Sequence, residues 1–195
     1  MGNVVVSEFI TVDGVLDDPG GSEGFERGGW AFKFDRGPDG DKFKLDEVMS
    51  ADALLLGRVT YEGFAAAWPG RTDEIGFAEK FNSMPKYVVS STLKDPEWNN
   101  STVLDGDLAA SVRGLKDELE GDVLVNGSIR LVRDLLANDL VDELRLMVFP
   151  ILLGSGRRLF EAATEPISLR SLQSTTAGET TILTYGRSRD GERSS

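Results

Sequence analysis

The chain has 195 residues, of which 40% are hydrophobic and 28% are charged. This length predicts one domain with a full hydrophobic core, and the sequence contains no apolar run of the roughly eighteen residues that a membrane helix needs. The formal net charge is −12. That charge argues against a protein that coats nucleic acid, because such proteins bind phosphates through clustered Lys and Arg.

Two residue types are absent, since the chain contains no Cys and no His. Disulfides, thiolate nucleophiles, imidazole bases and zinc sites built from these residues are therefore excluded, and no metal site is expected. The remaining chemistry uses carboxylates, hydroxyls and cations, or is supplied by a cofactor that the protein orients. The N-terminus lacks the pattern of an export signal, so a cytoplasmic location is expected.

Residues 3–10 are β-branched and aromatic with little polar alternation, which predicts a central strand buried on both faces. The following thirty or so residues are rich in Gly, Asp and Pro and predict a long loop. Loops of this length in compact domains are usually functional lids or disordered. The aromatic residues Phe25, Trp30, Phe32 and Phe34 argue against disorder. These aromatic residues are equally consistent with a functional lid and with a loop that covers one end of the core.

Strand-like and helix-like segments then alternate along the chain. Helices are predicted at 41–50, 58–68, 73–83, 107–119 and 129–138, and strands at 53–57, 86–90, 101–104, 122–125 and 141–149. Residues 167–174 and 179–186 predict a closing antiparallel hairpin. This order predicts an α/β fold with a mostly parallel central sheet and helices on both faces. We expect a single domain over residues 1–187 and a polar tail over 188–195.

Three predicted strands end in the same kind of sequence. These ends are Gly57-Arg58-Val59-Thr60, Ser90-Ser91-Thr92 and Asn126-Gly127-Ser128. Each brings small or hydroxyl residues to backbone amides near a helix start, where phosphate oxygens are readily bound. Ligands of open α/β sheets bind beyond the carboxyl ends of the strands, so three such ends favour a dinucleotide site. Neither a GxGxxG motif after a strand nor a P-loop is present. Gly154-Ser155-Gly156 is interpreted as a structural turn, with a phosphate contact as the alternative.

These motifs resemble a known family. GRVTYE, VVSST, VLVNGS and LVDELRLMVFPILLGSGRRLF, with SEFITVDGVL at the start, are similar to the reductases that include dihydrofolate reductase and the C-terminal reductase domain of the bifunctional riboflavin-pathway deaminase-reductase. The resemblance covers most of residues 3–186. It implies a dihydrofolate-reductase-like three-layer α/β/α fold, NADPH as cofactor, and hydride transfer to a pterin-like or ribosylaminopyrimidine-like heterocycle.

The resemblance also implies a cofactor site. Residues 9–14 would border the hydride-transfer face, with Ile10, Asp13 and Gly14 near the nicotinamide. The pyrophosphate and ribose would lie against Gly57, Arg58, Val59, Thr60, Asn126, Gly127, Ser128, Ile129 and Arg130, and the adenosine 2′-phosphate against Ser90, Ser91 and Thr92. Dihydrofolate reductases carry a cis Gly-Gly peptide at the later turn. A cis bond at Asn126–Gly127 is therefore a hypothesis.

On the substrate side the resemblance points to a carboxylate on the first helix. Asp41 lies sixteen residues before Gly57, a spacing similar to that of dihydrofolate reductases, and would support protonation. It also fits a helix-capping role, and Asp46 and Glu47 compete with it. Phe9, Trp30 and Tyr61 are predicted to contact substrate. Arg157 and Arg158 either bind a substrate phosphate or are solvated.

Two further expectations concern activity and assembly. The reductase is the leading hypothesis. One alternative is a protein of the same fold that binds NADPH without turnover, and another is that the strand-end hydroxyls bind a non-redox nucleotide or no ligand. Members of the family often form dimers through sheet edges or the C-terminal hairpin, so the resemblance implies a homodimer. No nucleic-acid or membrane partner is expected. The zinc deaminase domain of the bifunctional enzymes has no counterpart in this chain.

Overall fold

The computed structural model describes residues 1–160 and 166–188. Its strands are β1 (Val4–Thr11), β2 (Ala51–Gly57), β3 (Lys86–Val89), β4 (Ser101–Leu104), β5 (Asp122–Val125), β6 (Glu143–Phe149), β7 (Leu169–Ala177) and β8 (Thr180–Arg187). Its helices are α1 (Gly37–Ser50), α2 (Arg58–Ala67), α3 (Phe77–Ser83), α4 (Leu108–Glu118) and α5 (Ile129–Ala137), with a 3₁₀ helix at Trp30–Lys33. Apart from Ser188, the predicted polar tail lies outside the described residues.

All eight strands form one sheet in the order β4-β3-β2-β5-β1-β6-β8-β7. The strands from β4 to β6 pair in parallel, while β8 pairs antiparallel with both β6 and β7. The predicted α/β fold, with its mostly parallel sheet, central first strand and antiparallel hairpin, is therefore confirmed. The outer strand β7 is exposed over nearly its whole length, and the homodimer stays a prediction. None of the described helices is long and apolar enough to cross a bilayer.

Helices cover both faces of the sheet. On one face Val4 and Val6 of β1 pack into a core with residues of α4 and α5, such as Val112 and Val132. On the other face Val5 joins residues of α1, α2 and α3. Successive residues of a strand point to opposite faces, so the uninterrupted run of valines in β1 supplies both cores. This explains why the strand shows little polar alternation.

Two helices begin at positions other than those predicted. Helix α1 begins at Gly37, four residues before the predicted start at Asp41, because Pro38 occupies its first turn, where proline is well tolerated. Helix α3 begins at Phe77 instead of 73. Asp73 instead accepts hydrogen bonds from the amides of Phe77 and Ala78, so its carboxylate serves the preceding turn and the start of the helix.

Lys86 lies at the start of β3 and is fully buried. Its Nζ donates hydrogen bonds to the carbonyl oxygens of Asn82, Met84 and Asn99 at 2.7, 2.8 and 2.9 Å. The ammonium also lies 4.4 Å from the centroid of the Trp98 ring. Burial lowers the pKa of Lys86 to about 8, so the group still carries its proton at neutral pH. One charge thus joins the end of α3 to the segment that precedes β4.

Replacing Lys86 with Met should destabilise the protein strongly. The substitution preserves most of the side-chain volume but leaves three carbonyls without their donor, and each buried unpaired group costs about 1–3 kcal/mol. We expect the free energy of unfolding to fall by about 3 kcal/mol or more in urea denaturation. Lys94→Met, at an exposed position, is the matched control and should change it by less than about 0.5 kcal/mol. Equal stability of the two variants would contradict this account of Lys86.

Candidate functional site

The carboxyl ends of β2 and β5 are held in direct contact. The Gly57 amide donates a hydrogen bond to the Gly127 carbonyl at 3.2 Å. A Cβ on Gly57 would overlap Ser128 Oγ, and a Cβ on Gly127 would lie 2.9 Å from Thr60 Oγ1. Gly127 also has a φ of 89°, which favours glycine. Both glycines are therefore required by this close approach of two chain segments.

Two helices begin at this contact. Gly57 is the N-cap of α2 and Ser128 is the N-cap of α5. In neither helix does the N-cap side chain accept a hydrogen bond from the first main-chain amides. The first amides of a helix lack intrahelical acceptors and carry a partial positive charge. The two helix starts therefore present N–H groups to the same edge of the sheet, which is an arrangement suited to phosphate oxygens.

The arginines predicted at these helix starts are exposed. Arg58 Nη1 lies 2.9 Å from Glu62 Oε1, and Arg130 Nε lies 3.9 Å from Asp134 Oδ2. Each cation thus has an acidic partner one helical turn away. Val59 is exposed and Thr60 is partly exposed, whereas Ile129 is buried in the core.

The three hydroxyl residues of the turn after β3 differ in burial and in what they contact. Ser90 is buried, and its Oγ accepts hydrogen bonds from the amides of Thr92 and Leu93 at 3.2 and 2.9 Å. This bonding fixes the turn. Ser91 and Thr92 are exposed. Both residues lie beside the end of β3, and Thr92 Oγ1 is 3.4 Å from Ser90 Oγ.

β1 and β5 separate at the same edge of the sheet. Their pairing ends at Val6 and Val125, whereas β1 remains paired with β6 as far as Thr11. Asn126 Nδ2 spans the start of the gap by donating to the Ser7 carbonyl at 2.9 Å. The Gly127–Ser128 peptide beside this gap is cis, so the hypothesis of a cis bond at Asn126–Gly127 was wrong by one residue. We call the gap between residues 7–11 and the start of α5 the β1–β5 opening.

Charged groups line the β1–β5 opening. Lys44 Nζ of α1 lies 2.9 Å from Ser7 Oγ, 2.6 Å from Glu47 Oε2 and 5.3 Å from the centroid of the Phe9 ring. Glu8 is partly exposed, but its Oε1 is inaccessible and has no hydrogen-bond partner among the described residues. Burial raises the pKa of Glu8 to about 8, although Lys44 and the Gly127 amide act to lower it.

The loop after β1 is held by carboxylates. Asp13 accepts hydrogen bonds from the Thr11 hydroxyl at 2.6 Å and from the amides of Leu153 and Gly154 at 3.2 and 2.8 Å. Desolvation opposes ionisation of Asp13, but these three donors together lower its pKa to about 2. The Asp13 carboxylate therefore fastens the loop to the segment after β6. Gly14 follows it with a φ of 81°.

The paired arginines strengthen the same attachment. Arg157 Nη2 lies 2.5 Å from Asp17 Oδ1, and Arg158 Nη2 lies 3.6 Å from Asp13 Oδ2. Gly156 has a φ of 109°, and a Cβ there would lie 2.7 Å from Val15 Cγ1. These contacts support the interpretation of residues 154–156 as a structural turn, packed against the loop after β1.

Several predicted site residues lie away from the β1–β5 opening or are already engaged. Asp41 is exposed on α1, with its Oδ1 2.5 Å from Arg36 Nε. Trp30 is fully buried against Phe149 and donates to the Asp17 carbonyl. The Trp30 ring therefore covers one end of the core, which was one of the two interpretations of the aromatic loop.

Tyr61 and Ile10 are also core residues. The Tyr61 hydroxyl accepts the Trp98 amide at 2.9 Å, and both residues are buried. Ile10 is buried in the core on the α5 face. Phe9, in contrast, is partly exposed and lies at the β1–β5 opening, with its ring 5.1 Å from that of Phe149.

Sequence reasoning missed Glu8 and Lys44. Glu8 is the one charged residue in an otherwise apolar and hydroxylic strand, and that was a visible signal, because carboxylates are rarely placed in buried strands without a partner or a role. Lys44 gave no such signal. Its position became evident only from the direction in which α1 crosses the sheet.

Solved structures that resemble this chain include the following three. A protein assigned to riboflavin biosynthesis from Shewanella sp. PV-4 is 24% identical, with a TM-score of 0.75 over 97% of this chain and 100% of that one. Dihydrofolate reductase from Enterococcus faecalis, complexed with NADP(H) and RAB-propyl, is 15% identical, with a TM-score of 0.62 over 96% and 97%. A pyrimidine reductase-like protein from Corynebacterium diphtheriae is 13% identical, with a TM-score of 0.63 over 96% and 92%. These likenesses define the chain as a protein of the dihydrofolate-reductase-like fold.

The family follows from the sequence. The profile of the RibD C-terminal domain matches residues 3–183, so the chain belongs to the RibD C-terminal domain family. Two relatives from Bacillus subtilis (strain 168) are uncharacterized proteins. YwjB is 26% identical over 178 residues, which are 91% of this chain and 94% of YwjB, and YyaP is 24% identical over 176 residues, or 89% and 88%. The resemblance drawn from the motifs is confirmed, and family and fold support a reductase-type function.

Replacing Asp13 with Ala should loosen the loop after β1. The change leaves the Leu153 and Gly154 amides without their acceptor and removes the carboxylate beside Arg158, whose Nε keeps its hydrogen bond to the main-chain carbonyl of residue 13. We expect amide hydrogen exchange in residues 12–17 and 151–158 to accelerate about tenfold or more, which corresponds to about 1.4 kcal/mol. Asp41→Ala is the control and should leave these amides unchanged. If Asp13→Ala also leaves their exchange unchanged, the carboxylate does not hold the loop.

Proposed function

We propose that this protein is an NADPH-dependent reductase that acts on a pterin-like or ribosylaminopyrimidine-like heterocycle. Bound NADPH would supply the hydride. The observation that carries the proposal is the pair of uncapped helix starts, α2 and α5, joined by the contact between Gly57 and Gly127. These amides would bind the pyrophosphate, and the two glycines allow the two helix starts to lie close enough together to share it.

The adenosine end would lie beside β3. The exposed hydroxyl groups of Ser91 and Thr92 would contact the 2′-phosphate, while Ser90 holds the turn from below. A hydrogen bond to a charged phosphate contributes about 1.5–3 kcal/mol. This contact would select NADPH over NADH.

The nicotinamide end would enter the β1–β5 opening. Unpaired strand edge on the β5 side of residues 7–11 offers backbone groups to a planar amide. Lys44, Ser7 and Phe9 line the α1 side of this opening, where a flat, polar heterocycle would stack. The loop after β1, fastened through Asp13, would exclude water from the reacting atoms, and alignment of this kind contributes several kcal/mol to catalysis.

The first experiment is a titration of the purified protein with NADPH and with NADH, followed by Trp fluorescence. We expect saturable binding of NADPH and weaker binding of NADH. Oxidation of bound NADPH is then measured with a panel of pterin and aminopyrimidine acceptors. Absence of NADPH binding would refute the proposal. Binding without oxidation across the panel would favour a nucleotide-binding protein without turnover.

Ser91→Ala should weaken NADPH about tenfold, or about 1.4 kcal/mol, and leave NADH unchanged, because only NADPH carries the 2′-phosphate. Ser174→Ala, on the exposed strand β7, is the control and should alter neither affinity. Isothermal titration calorimetry with both nucleotides measures the difference. An equal loss for NADPH and NADH would place the 2′-phosphate elsewhere.

Gly57→Ala should weaken both nucleotides by similar factors, about tenfold or more, since its Cβ would overlap Ser128 and push α5 away from α2. The φ of Gly57 is −76°, so the effect comes from contact and not from backbone strain. Gly63→Ala is the matched control. A Cβ at Gly63 meets nothing within 4 Å, and the change should retain affinity while stabilising the helix by about 0.5–1 kcal/mol. Unchanged affinities in Gly57→Ala would argue against the pyrophosphate site.

A further inference from the structure

Glu8 occupies an unusual place for a carboxyl group. It lies in an interior strand, two residues beyond the last β1–β5 pair, where the strand has lost its neighbour on one side. Its Oε1 is inaccessible to solvent and has no hydrogen-bond partner among the described residues. A buried carboxylate oxygen without a donor is costly, and this cost favours a protonated carboxyl.

The groups whose charge or hydrogen bonding acts on Glu8 come from each element around the β1–β5 opening. The Gly127 amide belongs to the segment before α5, Lys44 and Glu47 belong to α1, and Glu23 belongs to the loop after β1. Lys44 and the amide favour the ionised form, while burial and the two glutamates oppose it, and the pKa of Glu8 is raised to about 8. Lys44 is already 2.6 Å from Glu47. At neutral pH the Glu8 carboxyl therefore carries a proton.

We propose that Glu8 is a catalytic acid of this reductase, an inference that rests on the proposed function. When the substrate takes two electrons and one hydrogen from NADPH as a hydride at the carbon of a C=N bond, the Glu8 carboxyl gives its proton to the nitrogen. The O–H bond of Glu8 breaks and an N–H bond forms, so the substrate gains two hydrogens and NADPH becomes NADP⁺. Solvent then returns a proton to the carboxylate.

This role suits Glu8 better than Asp41. Asp41 is exposed on α1, and its carboxylate is already paired with Arg36. Glu8 has the proton and lies at the β1–β5 opening. In addition, the positive charge of oxidised nicotinamide would favour ionisation of a carboxyl beside it. The proton on Glu8 would therefore become easier to release as the reaction proceeds.

The first test uses nucleotide binding alone. We expect the affinity for NADP⁺, divided by that for NADPH, to rise about tenfold between pH 6 and 9 in the unaltered protein. Titration of the 2′-phosphate is common to both nucleotides and cancels in this ratio. In Glu8→Gln the ratio should be independent of pH, whereas in Asp41→Asn it should follow the unaltered protein. A flat ratio in the unaltered protein, or a rising one in Glu8→Gln, would overturn the role of Glu8.

A second test needs no nucleotide. A carboxyl whose pKa is raised from 4.5 to about 8 on folding contributes stability below pH 4.5 that is lost as the pH rises through 8. Glu8→Gln should remove this loss. The melting temperature of the variant, minus that of the unaltered protein, should therefore increase between pH 5 and 8. Parallel profiles would show that Glu8 is already ionised and would also overturn the proposal.

The third test measures turnover with dihydrofolate and a ribosylaminopyrimidine as the acceptors. Single-turnover oxidation of NADPH should slow at least about a hundredfold in Glu8→Gln, and the decline of the rate above pH 8 should disappear. Asp41→Asn should retain both rate and profile. If neither nucleotide binds to the unaltered protein, the proposed function and the role of Glu8 both fall. If both bind and only the dependence on Glu8 is missing, the proposed function stands and this inference alone is wrong.

Discussion

The early end of the β1–β5 pairing is the constraint on which the arrangement of the site depends. Because β1 remains paired with β6 through Thr11, it continues as a strand after it leaves β5 at Val6. One edge of a buried strand is thereby left open within a large sheet. Glu8 and Phe9 lie along that edge, and the start of α5 lies across from it. A continuous β1–β5 ladder would close the space.

The contact between Gly57 and Gly127 positions the other half of the site. It places the N-termini of α2 and α5 beside each other, since Gly57 has no side chain to separate them. The β3 turn lies next along the sheet, where the Ser90 hydroxyl accepts the amides of Thr92 and Leu93. Rigid elements thus hold each predicted phosphate contact, and recognition loops placed on rigid elements are more exact than loops that must order on binding.

The sequence predicted the fold well because its strongest signals are local. Runs of β-branched residues mark the strands, and Asp107 and Gly57 mark helix boundaries. The same signals located the strand ends that converge in space. Directions of side chains were harder to predict. Trp30 and Tyr61 were expected at the site but point into the core, because burial depends on how the loop and α2 pack and not on residue type alone.

The carboxylates show the same limit. Spacing along the chain led to Asp41, whereas α1 turns that residue to solvent and turns Lys44 and Glu47 toward the sheet. Glu8 is visible in the sequence as a charged residue in β1, but its environment depends on the absence of a β5 residue paired with it. A residue's chemistry at this site is set by neighbours more than a hundred positions away, such as Gly127, and no local pattern encodes that distance.

The acidic partners of Arg58 and Arg130 have a consequence for how an anion would be attracted. With both cations compensated within one turn and a net charge of −12, the protein repels a polyanion at long range. At the proposed phosphate site, attraction would begin only at contact, through the dipoles of main-chain N–H groups. Dissolved ions would weaken the repulsion, whose reach is about 10 Å at 0.1 M, and leave the contact itself largely intact. Association would therefore become faster in saltier solution, opposite to the behaviour of sites built on free arginines and lysines.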